Sequence, residues 1–288
     1  MTRKNPSDTG SPQRIALVIG LFVLLLGGCG SSSPGGVITV VVRACVLEGT
    51  TLASLSQPDR NNAVVDMFNQ VNTQVWSQAQ ISFLACCQDI PVVTDPDPNV
   101  GVPGTIEVHL KGTDQMRAAR DECAAAWASK GSVAGSGFTQ GPVVILVHAF
   151  WNAPPDTLGV TGPPTTRPDL CVAPRTLAAA DVRDLYLLSI EQSGLHFLGD
   201  SAIQTLAHEL GHTLLLWHGD GLDNNHNGAD PPNPGPRLFD VRCDLLEASN
   251  EGGSLMAHGG NVGKFLLTPL QIELAREAAQ VWPGHVGP

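Results

Sequence analysis

Runs of β-branched residues alternate along the chain with stretches whose apolar positions recur every three or four residues. Residues 37–46, VITVVVRACV, are dense in valine and isoleucine and predict a strand. Over 59–80, Val64, Val65, Phe68, Val71, Val75 and Trp76 stand at helical spacing and predict an amphipathic helix. Shorter apolar runs at 81–85, 105–110 and 142–151 predict further strands, and 178–192 predicts a helix. Residues 89–104 and 152–175 are rich in Pro, Gly and Thr and predict loops, the second long enough to rim a cleft. Near the end, Thr268 is a natural N-cap and Pro269 suits the first helical position, so a helix is expected to open there and run through Ala279. This order of elements predicts the α/β (α+β) class, with a layer of mixed sheet and helices.

The first 28 residues do not belong to that layer. Arg3, Lys4 and Arg14 precede an apolar run over 15–26, too short to span a bilayer as a helix but suited to a secretory signal. Leu26-Gly27-Gly28-Cys29 resembles a bacterial lipoprotein cleavage box. That resemblance implies lipidation of Cys29, a flexible tether over 29–36, and an exported chain anchored in the cell envelope. Residues 37–288 are then the folded domain, and about 250 residues suffice for one core or two lobes around a cleft.

The cysteine count agrees with export. Of seven cysteines, removal of Cys29 leaves Cys45, Cys86, Cys87, Cys123, Cys171 and Cys243, an even set open to as many as three disulfides in an oxidising compartment. Cys86 and Cys87, adjacent on a predicted strand, face opposite sides and should have different partners. Loss of the leader, which holds three basic residues and Asp8, takes the formal charge from −11 to −13. Nucleic acid is therefore not an expected partner, and the membrane is expected to be touched only through the anchor. A monomer is expected.

The candidate chemistry lies in residues 207–221, AHELGHTLLLWHGDG. His208 and His212 are four apart, so on a helix both imidazoles point the same way and form half a metal site. Glu209 falls on the flank of the same face, where its carboxylate could take a proton from a water activated by the metal without being a ligand. Ser201 and Gln204 form a capping-box pattern at the start of this helix, and Ile203, Leu206, Leu210, Leu214 and Trp217 would bury its back. On an unbroken helix His218 would be too far along to share one ion with His208 and His212, so the helix must end before it. Gly219 and Gly221 favour such a turn, and downstream 253–260, GSLMAHGG, sets Met256 among glycines.

These residues resemble the metzincin clan of zinc metalloproteases, with H-E-x-x-H-x-x-G-x-x-H and a methionine turn. The resemblance implies zinc held by His208, His212 and His218, Glu209 as general base, and Met256 beneath the metal. It implies protein or peptide substrates and a two-lobed domain. The upper lobe, about 37–218, would carry a mixed twisted sheet and the active-site helix above the cleft; the lower, about 219–288, would be irregular and end in a helix. The clan's glycine is Leu215 here. Either Leu215 adopts a left-handed conformation, at roughly 1 to 2 kcal/mol, or the helix runs on to Trp217 and Asp220, Asp223 or His226 displaces His218. A downstream carboxylate, Glu247 or Glu251, would replace His218 in another kind of zinc peptidase, and an inactive lipid-anchored zinc-binding or adhesion module is the rival from outside enzymology.

Two further patterns are open. In clan branches with S-x-M-x-Y the tyrosine approaches the zinc, and His258 holds that place here, either stabilising the tetrahedral intermediate, or as an extra metal ligand, or as a loop histidine in solvent. Asp223-x-Asn225-x-Asn227-Gly228 matches the first half of an EF-hand-like calcium loop, against a plain turn, with Pro234 where the closing glutamate would stand. A melting temperature that rises in calcium is the signature of the former. His109 and His148 lie in predicted strands and are expected to be structural.

Overall fold

The computed structural model describes residues 36–85, 89–96, 103–107, 114–130, 140–151, 157–162, 177–191, 201–216, 255–256 and 266–287. In chain order these form β1 (Ile38–Val41), β2 (Arg43–Leu47), α1 (Thr51–Ser54), α2 (Gln57–Gln74), a 3-10 turn (Trp76–Ala79), β3 (Ile81–Leu84), β4 (Val92–Val93), β5 (Thr105–Glu107), α3 (Asp114–Ser129), β6 (Val143–Val147), β7 (Ala149–Trp151), β8 (Gly159–Gly162), α4 (Ala179–Val182), β9 (Tyr186–Ile190), α5 (Ser201–Thr213) and α6 (Pro269–Val281). The class is mixed α/β, as the pattern predicts.

The predicted strand 37–46 is one run that changes partners. β1 pairs in parallel with β3, while β2 pairs in parallel with β4 on one side and β6 on the other. Val42 bridges the two, its N–H donating to Leu84 O at 3.0 Å. The main sheet has the order β4-β2-β6-β9-β8, and only β8, on the edge, runs antiparallel to its neighbour. β7 continues β6 and pairs in parallel with β5. Every residue of β6 and β9 is buried, as parallel strands covered on both faces must be.

Helices cover both faces. α3 buries Met116, Ala119, Cys123 and Trp127 on one stripe; Cys123 forms a disulfide with Cys45 of β2, and the Trp127 indole donates to Ala44 O at 2.9 Å. α5 packs on β9 and β8 from the other side, beside α2. α6 opens with the expected cap: the Thr268 hydroxyl accepts from Gln271 N while the Gln271 side chain accepts from Thr268 N. Just beyond α6, the fully buried Trp282 donates its indole N–H to Thr213 O at 3.0 Å, tying the C-terminal segment to the end of α5. The bridge between Thr39 and Val286 then adds the last described residues to β1.

Several expectations are corrected. The helix predicted over 178–192 is only α4, followed by β9, because a short run buried on both faces has no period to distinguish strand from helix. The helix predicted to Gln80 ends at Gln74 and tightens into the 3-10 turn, with Gln80 left-handed at φ 52°. The predicted loops 89–104 and 152–175 contain β4 and β8. Among the described residues the disulfide is Cys45–Cys123; Cys29, Cys86, Cys87, Cys171 and Cys243 lie outside them.

Candidate metal centre

α5 starts at Ser201 and buries Ile203, Leu206, Ala207 and Leu210 against the sheet, which turns His208 and His212 to one side of the helix. The helix ends at Thr213, not Trp217. Its end is a Schellman closure: Leu215 N–H donates to His212 O at 3.0 Å and Leu216 N–H to Gly211 O at 3.0 Å. The residue at the left-handed position of this motif is Leu215, at φ 62°. The chain therefore turns where the clan's glycine would turn it. The strain of a left-handed leucine is offset by a side chain almost wholly buried in the core.

This turn has a direct effect on a candidate ligand. Leu216 O, brought round by Leu215, accepts from His212 Nδ1 at 2.8 Å. Leu255 O does the same for His208 Nδ1, also at 2.8 Å. A carbonyl only accepts, so both imidazoles carry their proton on Nδ1 and offer a lone pair at Nε2. The two Nε2 atoms face each other 3.1 Å apart. Two lone pairs at that separation repel unless a cation lies between them. A tetrahedral ion with zinc–nitrogen bonds of about 2.0 to 2.1 Å sets two nitrogens roughly 3.3 Å apart, so the pair fits a zinc ion with little movement. Burial and the neighbouring His208 push the His212 imidazole down to about 3, against the pull of Leu216 O, so the ring is neutral, as a ligand must be.

Glu209 completes a cluster in which one oxygen or nitrogen from each of His208, Glu209 and His212 lies within 4.8 Å of the others. Its carboxylate is buried, and Oε2 accepts from the Thr161 hydroxyl of β8 at 2.6 Å. Burial pushes the Glu209 carboxyl up to about 7, while the Thr161 bond works in the opposite direction. A carboxylate poised there can both take and return a proton near neutral pH.

Met256 is fully buried against the helix. A Cβ on Gly211 would come within 2.6 Å of its sulfur, so the small residue inside H-E-x-x-H is what lets Met256 approach. Leu255, whose carbonyl orients His208, is itself fixed by donation from its N–H to Leu266 O at 2.8 Å.

His148 stands apart from this cluster. Its Nδ1 is 3.3 Å from the buried Glu191 carboxylate, which also accepts Thr51 N and Leu52 N at 2.8 Å each, an arrangement that joins β6, β9 and α1. His218, His258, Asp223, Asn225, Asn227, Asp220, His226, Glu247, Glu251 and His109 lie outside the described residues. Sequence reasoning missed Thr161, Gly159 and the two carbonyls, all of which meet α5 through the fold rather than through local spacing.

No protein-family model matches the chain, and no curated protein is similar in sequence. Similar solved structures include mature mirolysin of Tannerella forsythia in complex with a cleaved peptide, at 14% identity over 86% of this chain and 97% of that one, with a TM-score of 0.44. Another is metalloproteinase-II of Bacteroides fragilis, at 12% identity over 85% of this chain, with a TM-score of 0.40. The match covers 55% of that second chain.

Proposed function

We propose that the chain is a zinc-dependent endopeptidase. The observation that carries this reading is the pair of facing Nε2 atoms with the Glu209 carboxylate one residue away on the same helix. His208 and His212 would hold the ion, and His218, three residues after Leu215, is assigned as the third ligand. A bound zinc would supply Lewis acidity, polarising the substrate carbonyl and lowering the pKa of a water.

The residues of this chain do the rest. β8 has an unpaired outer edge among the described residues, beside Glu209, and can take up an extended peptide by main-chain pairing. Glu209 accepts one proton from the attacking water as its oxygen bonds to the carbonyl carbon. The same carboxyl returns that proton to the leaving nitrogen as the C–N bond breaks.

The test is cleavage of a quenched-fluorescence peptide library by the full chain, purified as the cell processes it, beside a Glu209→Ala control. Cleavage that is lost in the control and on chelation is expected. No cleavage by folded, zinc-loaded protein would overturn the proposal in favour of a binding module.

We also propose that the protein lies outside the cytoplasm, held to the envelope by lipid on Cys29, a reading supported by the apolar run over 15–26 and the Leu26-Gly27-Gly28-Cys29 box. The Cys45–Cys123 disulfide supports an oxidising surrounding. Labelled fatty acid should enter the wild-type protein and not a Cys29→Ser variant; equal labelling of both would remove the anchor.

A further inference from the structure

The general base of such a site needs more than a suitable proton affinity, because a glutamate has three side-chain torsions and two equivalent oxygens. Here one strand constrains both. β8 is held by its antiparallel pairing to β9, with Gly159 opposite Ser189 and Thr161 opposite Leu187. Gly159 and Thr161 are two residues apart, so they present the same face to α5. Thr161 places its hydroxyl 2.6 Å from Oε2 of Glu209 and 3.3 Å from the Glu209 carbonyl oxygen. With one hydrogen to give, it donates along the shorter contact to the carboxylate. Gly159 offers empty space: a Cβ there would lie 2.5 Å from Glu209 Cγ and 2.7 Å from Oε1. Oε1 has no hydrogen-bond partner among the described residues.

We propose that Thr161 is a positioning residue that ties down Oε2 of Glu209 so that Oε1 alone is presented as the proton acceptor, in a space that Gly159 keeps open. The assignment rests on the peptidase reading for its catalytic consequence, but its geometric part stands on Glu209 and β8 alone. Removing the hydroxyl while keeping the shape of the side chain frees the carboxylate to rotate, which lowers the fraction of molecules aimed at the water. Substrate pairing along β8 is untouched, so binding should not follow.

The experiment compares the full chain, purified as the cell processes it, with T161V, T161S and G159A. In zinc-loaded enzyme T161V should lose about 10- to 100-fold in kcat, the worth of one hydrogen bond to a charged group, with KM changed less than about threefold. T161S should recover most of the rate, and G159A should lose at least as much as T161V because its methyl occupies the carboxyl's place. Independently of activity, crystals of the metal-free proteins should show one Glu209 rotamer in wild type and T161S and more than one, or a different one, in T161V. A T161V enzyme with wild-type kcat, or a Glu209 rotamer unchanged in T161V, overturns the proposal. If wild type and Glu209→Ala are equally inactive, the peptidase reading fails, and the rotamer comparison still decides whether Thr161 positions Glu209.

Discussion

Glu209→Gln should reduce peptide hydrolysis by about two to four orders of magnitude, the span of a lost general base, and yet make the metal-free protein more stable in mild alkali. In the folded chain, burial lifts the Glu209 carboxyl from 4.5 to about 7. A carboxyl whose folded value lies above its unfolded value binds its proton more tightly when folded. Stability therefore falls as pH rises through the interval between the two values. Below 4.5 the group is protonated in both states and costs nothing; above about 7 it is ionised in both, and the full penalty of burying the charge is present. That penalty is on the order of 3 kcal/mol. Glutamine can still accept from Thr161 but has no charge to bury. Urea unfolding of the chelator-treated proteins should show the variant more stable by about that amount near pH 8, with the gain shrinking towards zero near pH 4. Equal stabilities at pH 8 would show that the Glu209 carboxylate is not desolvated.

His212→Ala should strip the protein of zinc. Structural zinc sites with four ligands are worth about 10 to 16 kcal/mol near neutral pH, so one ligand carries roughly 3 kcal/mol, or about two orders of magnitude in affinity. His208→Ala should weaken zinc comparably, since the two nitrogens face the same point. Metal content measured after dialysis against a chelator of graded strength reads this directly. Stoichiometric zinc retained by both variants at the wild-type chelator midpoint would mean that the facing imidazoles are not the metal site.

What the sequence disclosed follows from the range over which each signal acts. The two histidines and Glu209 share one helical turn, so their spacing alone set them on one side of α5. The cap of α6 is equally local, since Thr268, Pro269 and Gln271 lie within four residues. β9 was hidden because Tyr186-Leu187-Leu188-Ser189-Ile190 is covered on both faces and carries no alternation. β8 was hidden for a different reason. Its two glycines read as loop signals, yet each is where another part of the fold comes close: Gly159 to the Glu209 carboxyl and Gly162 to the Tyr186 ring. α3 carries a stripe legible in the sequence, with Met116, Ala119, Cys123 and Trp127 at helical spacing. The Thr161–Glu209 bond spans 48 residues, and nothing in local spacing announces it.

Leu215 links the order of folding to the capture of metal. A glycine at this place would let the turn form in a short peptide, before any core exists. A leucine makes the left-handed turn unfavourable on its own, and it is retained only once the side chain has entered the packed interior. The contact between Leu216 O and His212 therefore depends on a packed core around Leu215. With the core unpacked, the His212 ring would be held only loosely, so a metal ion would meet two oriented nitrogens in the finished scaffold alone.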